Sequence, residues 1–137
     1  MNVNASVTWV EDRRFVGRAS SGHAIVVDAS AEKQASSPME LLLIGMAGCT
    51  AYDVMSILEK KRQRVTGLQV SARAERAEEP PRVYTKIEVE YLLRGRGIKP
   101  KAVEDAIRLS KERYCSASIM LGKTAQITTT YRIEEEG

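Results

Sequence analysis

The feature that most constrains this sequence is a long apolar segment near its middle, from Ser37 to Leu58. Ser36 or Ser37 can cap a helix here, and Pro38 suits the first helical turn. Glu40 follows where the positive end of the helix dipole favours an anion. The segment contains two carboxylates, each of which costs about 2.5–3.5 kcal/mol at a bilayer centre. We therefore predict a helix buried in a protein core rather than a membrane span.

Cys49 lies near the middle of this predicted helix. At about 100° per residue, the cysteine shares a face with apolar, small and polar residues, namely Leu42, Gly45, Met46, Tyr52, Asp53 and Ser56. Gly45 and Gly48 are each unfavourable inside a helix by about 1 kcal/mol relative to alanine. The two glycines predict that another element packs closely against the helix backbone beside Cys49.

Length and charge limit the class of protein. A chain of 137 residues can bury a core of its own, so we expect a single domain over residues 1–137. The net charge of +3 is too small to predict binding to nucleic acid, and the basic cluster Lys60–Arg64 falls where cations complement a helix end. The N-terminal residues lack the pattern of a signal peptide, so we expect a cytoplasmic protein with reduced thiols.

Alternation of apolar and polar residues predicts strands on both sides of the central helix. The predicted strands cover residues 2–10, 14–19, 23–28, 68–74, 83–93 and 125–133. A helix from Lys99 to Tyr114 and a short helix closed by Gly122 are predicted before the last strand. The alternation favours antiparallel pairing and an α+β fold.

The candidate reactive residues are Cys49, Cys115 and the single histidine, His23. They are too few for an ordinary structural zinc site, and neither cysteine belongs to a C-x-x-C motif, so we predict no metal site. Cys115 lies just ahead of a predicted helix, where free N–H groups lower a thiol pKa. His23 leads a strand and is predicted to have a surface or structural role.

The spacing of the two cysteines does not decide whether they meet. They are either a reactive pair or two separate buried thiols, a common environment for cysteine. Asp53, on the same helix face as Cys49, needs a partner if it is buried. An ion pair and a catalytic role are both open for this carboxylate.

Two sequence motifs resemble the OsmC/Ohr family of osmotically inducible and organic-hydroperoxide-resistance proteins, in particular its YhfA-like branch. The motifs are the helix segment from Ser37-Pro38-Met39-Glu40-Leu41 to Ala47-Gly48-Cys49, and Tyr114-Cys115-Ser116. The resemblance covers nearly the whole chain. It implies a β(3)-α-β(2)-α(2)-β protomer with antiparallel sheets around the long helix. It also implies an intertwined homodimer with the thiols at the subunit interface.

The resemblance further implies a thiol peroxidase that acts in oxidative stress defence. Cys49 would match the peroxidatic cysteine, whose thiolate attacks the O–O bond of an organic hydroperoxide and becomes a sulfenic acid. Cys115 would match the resolving cysteine that forms a disulfide with it. A cellular dithiol, which in this family can be of the lipoyl type, would restore the thiols, and no bound cofactor is implied.

The sequence departs from the family pattern at two places. The residue after the motif proline is usually a glutamate that pairs with a catalytic arginine, but here it is Met39, with Glu40 one place later. The family arginine precedes the helix, where this chain has Val26-Val27-Asp28-Ala29. Four other arginines are candidates for the role of that catalytic arginine, and nothing in the sequence selects among them: Arg13, Arg14, Arg18 and Arg82.

The site predicted from the sequence is therefore Cys49 and Cys115, with Glu40 and Asp53 as supporting residues. The two departures favour an alternative function for the same fold. In that alternative, the protein is not an enzyme and binds a small apolar ligand or senses oxidation through its thiols. The retained pair of cysteines favours the peroxidase.

Overall fold

The computed structural model describes residues 1–136, and its elements follow the predicted order. The strands are β1 (Ala5–Glu11), β2 (Arg14–Ala19), β3 (Ala24–Asp28), β4 (Arg64–Arg76), β5 (Tyr84–Arg96) and β6 (Gln126–Glu135). The helices are α1 (Pro38–Lys60), α2 (Pro100–Leu109) and α3 (Ser116–Leu121), with a π-helical turn over Ser110–Tyr114 between the last two. The α+β class and the β(3)-α-β(2)-α(2)-β order are confirmed.

The chain divides into two compact units, residues 1–42 and the residues from 43 onward. The first unit contains the sheet β1-β2-β3, in which both strand pairs are antiparallel as predicted. Several of its large apolar side chains are exposed, namely Val3, Val7, Trp9, Val10, Ile25 and Val26. The alternation in the sequence thus formed strands here, but this unit does not itself bury much of the apolar surface.

The second unit contains the sheet β4-β5-β6. Strands β4 and β5 are antiparallel, whereas β5 and β6 are parallel, so the predicted antiparallel pairing is wrong for this last pair. The reason is the connection: the chain passes through two helices between β5 and β6, and such a crossover returns it in the same direction. The face of β5 predicted as apolar is buried, and Ile87, Val89, Tyr91 and Leu93 form much of the core.

Helix α1 is buried along one row of residues only, Met46, Thr50, Val54 and Leu58. Their spacing of four residues places them on one face. Leu42, Ile44 and Tyr52 are 48%, 58% and 74% exposed, so the prediction of a buried helix holds for that face alone. By length and composition α1 would also suffice to cross a membrane, a test that core helices of soluble proteins pass too.

The π turn changes which side chains enter the core after α2. The sequence predicts one regular helix to Tyr114, but the Cys115 N–H donates to the carbonyl of Ser110, five residues earlier. Because the wider turn shifts the helical phase, Tyr114 is 54% exposed instead of buried. Ser110 and Cys115 are fully buried. The π turn therefore directs Cys115 into the core.

Candidate functional site

The structure brings Cys49, Asp53 and Cys115 together in the second unit. One sulfur or carboxylate oxygen from each of the three lies within 4.8 Å of the others. Cys49 and Asp53 are one helical turn apart on the same face of α1. Both cysteines are free thiols. The separation of the two cysteines in the sequence does not decide whether they meet. The folded chain places them side by side.

Cys115 lies at the N-terminus of α3, as predicted. Its sulfur accepts a hydrogen bond of 3.3 Å from the Ser118 N–H and one of 3.0 Å from the Ser118 hydroxyl. Complete burial nevertheless raises the pKa of the Cys115 thiol above its ordinary value of 9.0, and the nearby Cys49 sulfur raises it further. The predicted lowering of this pKa is wrong, because the loss of water outweighs the two hydrogen bonds at the helix end.

Cys49 is partly exposed, in contrast to Cys115. A Cβ atom added at Gly45 or at Gly48 would have no neighbouring atom within 4 Å. The prediction of a closely packed element beside these glycines is therefore wrong for the single chain. The glycines instead leave the surface next to Cys49 open, and this makes Cys49 the more accessible thiol of the pair.

Asp53 is held by hydroxyl groups rather than by a cation. The Ser110 hydroxyl donates to Asp53 Oδ2 over 2.9 Å, and the Thr50 hydroxyl lies 2.7 Å from both the Ser110 and Tyr91 hydroxyl oxygens. Burial raises the pKa of Tyr91, so its hydroxyl stays neutral. Within residues 43–136, no lysine or arginine forms an ion pair with Asp53. The hydroxyl chain orients the carboxylate beside the two thiols.

Glu40 lies in the first turn of α1, where it forms a capping box with Ser37. The Ser37 N–H donates to Glu40 Oε1 over 2.9 Å, and the Glu40 N–H donates to Ser37 Oγ over 3.2 Å. Hydrogen bonds from the Ser37 N–H and the Ser37 hydroxyl lower the pKa of the Glu40 carboxyl. The structure thus confirms Ser37 as the cap, and it gives Glu40 a structural role. A supporting role of Glu40 in the chemistry of the cysteines stays a prediction.

The segment before α1 in which the family arginine would lie contains a buried acid, Asp28. Hydrogen bonds from the Ser30 hydroxyl and the Gln34 N–H, with the Arg14 side chain 3.2 Å away, hold the pKa of this carboxyl well below its usual range. Asp28 therefore organises the loop that leads into the helix. Arg14, one of the four substitute arginines, is engaged as its ionic partner.

The other substitute arginines have no assigned role in the chemistry. Arg13 and Arg18 donate to the backbone carbonyls of Asp12 and Gly22 within the first unit. Arg82 is exposed in the connection between β4 and β5. Among residues 43–136, no lysine or arginine side chain forms a hydrogen bond or ion pair with either cysteine. His23 is exposed, in agreement with its predicted surface role.

Sequence reasoning missed the residues that support the cluster, Thr50, Tyr91, Ser110 and Ser118. Tyr91 belongs to the buried apolar face of β5, and its hydroxyl contact with Thr50 gives it a second role. Ser110 gave a detectable signal, because it is a polar residue in the apolar row of the predicted second helix. A buried hydroxyl at such a position requires a hydrogen-bond partner.

Comparison with known proteins places this geometry in a family. A model of the family described as OsmC-like protein matches residues 31–130. Protein YhfA of Escherichia coli strain K12 is 44% identical over 131 residues, which cover 96% of this chain and 98% of the relative. The match therefore extends across both units of the chain.

Solved structures agree with this assignment. The crystal structure of a hypothetical protein from Aquifex aeolicus VF5 has a TM-score of 0.90 and 28% identity, with 100% of this chain and 99% of that chain covered. An organic hydroperoxide resistance protein from Elizabethkingia anophelis shares the fold, with a TM-score of 0.73, 15% identity and coverage of 98% and 97%. By its sequence match and its architecture, the chain belongs to the OsmC family.

Proposed function

We propose that this protein is a thiol-dependent peroxidase that reduces organic hydroperoxides. The observation that carries the proposal is the pair of free thiols, Cys49 and Cys115, which lie side by side and differ in exposure. An accessible thiol next to a buried one suits a cycle in which the first is oxidised and the second resolves it. The organic hydroperoxide resistance protein among the structural neighbours supports the same class of substrate.

The proposed reaction has two chemical steps. The Cys49 thiolate attacks one oxygen of the hydroperoxide, the O–O bond breaks, and the departing alkoxide takes a proton from water to leave as an alcohol. Cys49 is then a sulfenic acid. The Cys115 sulfur attacks the Cys49 sulfur, the S–O bond breaks, and the hydroxide takes up the thiol proton to leave as water, which gives a disulfide.

A cavity that meets the cluster at Asp53, and that neither cysteine lines, supports an organic substrate. Its volume is about 610 Å³, and Asp53 lines it together with apolar and aromatic side chains, among them Ile57, Leu109 and Tyr114. Lys60 and Lys61 also line this cavity. Walls of this kind favour an organic group over the small, polar hydrogen peroxide.

The proposal extends to the assembly and the location of the protein. We expect a homodimer, because exposed apolar side chains on α1 (Ile44 and Tyr52) and on the first sheet (Val7 and Trp9) are the kind of surface that partners cover. We also expect a cytoplasmic protein, whose disulfide a cellular dithiol returns to two thiols while that dithiol becomes oxidised.

The peroxidase is tested by rapid mixing of the reduced protein with cumene hydroperoxide, with the loss of hydroperoxide and of free thiols followed together. Continued turnover is then measured after addition of dihydrolipoic acid, a simple dithiol. We expect consumption far faster than with glutathione at the same thiol concentration, and the loss of two thiols per chain. A rate no greater than that of glutathione would contradict the proposal.

A second candidate function, binding of a small apolar ligand, is favoured by a cavity in the first unit. The cavity has a volume of about 640 Å³, and its lining includes Val7, Phe15, Ile25 and Leu41. A hydrophobic fluorescent probe titrated into the wild type and into an Ile25→Asp variant tests this function. Saturable binding that the substitution removes, without any loss of thiols, would support it over the peroxidase.

A further inference from the structure

We propose that the reduced protein binds one zinc ion per chain through Cys49, Asp53 and Cys115. Sequence reasoning dismissed a metal because two cysteines and a histidine are too few ligands. The folded chain supplies a third ligand from another residue type, the Asp53 carboxylate. This inference goes beyond the proposed peroxidase, and it requires only that both thiols are reduced.

The distances in the cluster suit one shared ion. One ligand atom from each residue lies within 4.8 Å of the other two. Zinc bonds are about 2.3 Å to cysteine sulfur and about 2.0–2.2 Å to carboxylate oxygen. Atoms bound to one zinc at those lengths lie less than about 4.6 Å apart in any geometry, so only small side-chain movements are required. Cys49 and Asp53 are four residues apart on one helix face, the spacing that places two ligands on one ion in helical zinc motifs.

Hydrogen bonds from neighbouring residues orient two of the three proposed ligands, Cys115 and Asp53. Ser118 donates two hydrogen bonds to the Cys115 sulfur, through its N–H and its hydroxyl. The Ser110 hydroxyl donates to Asp53 Oδ2, and no group among residues 43–136 donates a hydrogen bond to the other oxygen of that carboxylate. Outer hydrogen bonds of this kind orient ligands and tune a metal site. One oxygen of Asp53 thus remains available to a metal.

The charge of the cluster also favours a cation. Two thiols and a carboxylate are in close proximity, and no lysine or arginine among residues 43–136 is paired with any of them. A divalent cation would offset the repulsion between two thiolates and a carboxylate. Thiolate ligands select zinc over magnesium or calcium. With three protein ligands and partial exposure at Cys49, the fourth position of a tetrahedral zinc would be left to water.

Zinc binding is tested on the reduced full-length protein by competition with a chromophoric chelator. We expect one zinc per chain, with affinity reduced at least about tenfold in each of Cys49→Ser, Asp53→Asn and Cys115→Ser, because the loss of even an outer partner costs that much. The matched control is Glu59→Gln, which removes one carboxylate from an exposed position of the same helix. It should bind zinc like the wild type. Equal affinity in Asp53→Asn and the wild type would overturn the three-ligand site.

A second measurement does not depend on the folding of any variant. Cobalt added to the reduced wild type should give the thiolate-to-metal charge-transfer absorption and the visible bands of a tetrahedral site. Protein oxidised to the disulfide with diamide should give neither band and should not bind zinc. Absence of the charge-transfer band from the reduced protein, or retention of zinc after oxidation, would overturn the proposal. Neither result bears on peroxidase activity, so the two proposals can fail separately.

Discussion

The surroundings of Cys49 and Cys115 differ more than their proximity suggests. Cys49 lies on a helix next to two glycines that leave its surface open. Cys115 is fully buried at a helix N-terminus, with Ser118 donating two hydrogen bonds to its sulfur. A substrate can therefore reach the sulfur of Cys49, whereas only neighbouring side chains can reach the sulfur of Cys115. The comparison shows how a fold can give two thiols different roles without a change in chemistry.

The largest expected effect comes from removal of the accessible thiol. In Cys49→Ser, consumption of cumene hydroperoxide should fall to the rate without protein, because the buried thiol has no access to the substrate. Stopped-flow kinetics at equal protein concentration measures this loss. In the matched variant, Cys115→Ser, one hydroperoxide per chain should still be consumed. A Cys49→Ser protein that retains rapid consumption would break the assignment of roles.

The next effect is a difference in thiol reactivity with pH. The reactive species is the thiolate, and the raised pKa of Cys115 keeps this group protonated at neutral pH. In Cys49→Ser, where only Cys115 remains, alkylation by iodoacetamide should therefore be slow at pH 7. The rate should rise with pH in step with the thiolate fraction, and the midpoint of this profile should lie above pH 9.0, the ordinary pKa of the group. Cys115→Ser, which retains the partly exposed thiol, should be labelled at least about tenfold faster at pH 7, because the reagent can reach that sulfur.

That pH profile is measured by mass spectrometry of timed samples. Each variant is also labelled after denaturation, which gives the reactivity of the same thiol without its surroundings. Equal rates for the two folded variants at pH 7 would show that the difference in burial has no chemical consequence. The comparison of the two cysteines would then lose its functional meaning.

A third prediction concerns the hydroxyl chain that orients Asp53. Thr50→Val removes a hydroxyl that lies 2.7 Å from both Ser110 and Tyr91, and so leaves buried hydroxyls with fewer partners. The free energy of unfolding should fall by about 1–3 kcal/mol. Chemical denaturation measures it, with Thr128→Val at an exposed position of β6 as the control, for which little change is expected. A loss of stability equal to that of the control would show that the linked hydroxyl groups contribute nothing to the free energy of unfolding.

The smallest effect is expected at the cap of α3. Ser118→Ala removes the hydroxyl bond to the Cys115 sulfur but keeps the bond from the backbone N–H. Because the hydroxyl bond lowers the pKa of Cys115, its loss should move the pH profile of Cys115 alkylation further upward. The shift is read in a Cys49→Ser background. A downward shift would contradict the assigned role of Ser118.

The fold was largely predictable because its patterns are local. The alternation along β5 and the helical start at Ser37 and Pro38 need no knowledge of distant residues. The parallel pairing of β6 and the exposed faces of α1 were not predictable in this way, since both depend on how segments far apart in sequence pack. The two cysteines were identified from their motifs, yet their contact depends on the fold.

The buried environment of Cys115 was also beyond the sequence. A regular helix would have placed Tyr114 on the buried face, and the π turn places Cys115 there instead. The predicted lowering of the Cys115 pKa was wrong because the sequence shows that the cysteine precedes a helix, but it does not show that the cysteine is completely buried. Asp53 stands out in the sequence as a carboxylate on the cysteine face, but its hydroxyl partner, Ser110, lies in the π turn after α2. Thr50 links Ser110 to Tyr91 on β5, through contacts that no spacing rule gives.

The most direct test of the account is the chemical state of both cysteines after one equivalent of cumene hydroperoxide. The reduced protein is quenched with an alkylating agent within the first turnover and analysed by intact mass and peptide mapping. The account predicts one disulfide within each chain, between Cys49 and Cys115. It also predicts a sulfenic acid at Cys49 when Cys115 is replaced by serine. Unmodified thiols, or oxidation that begins at Cys115, would contradict it.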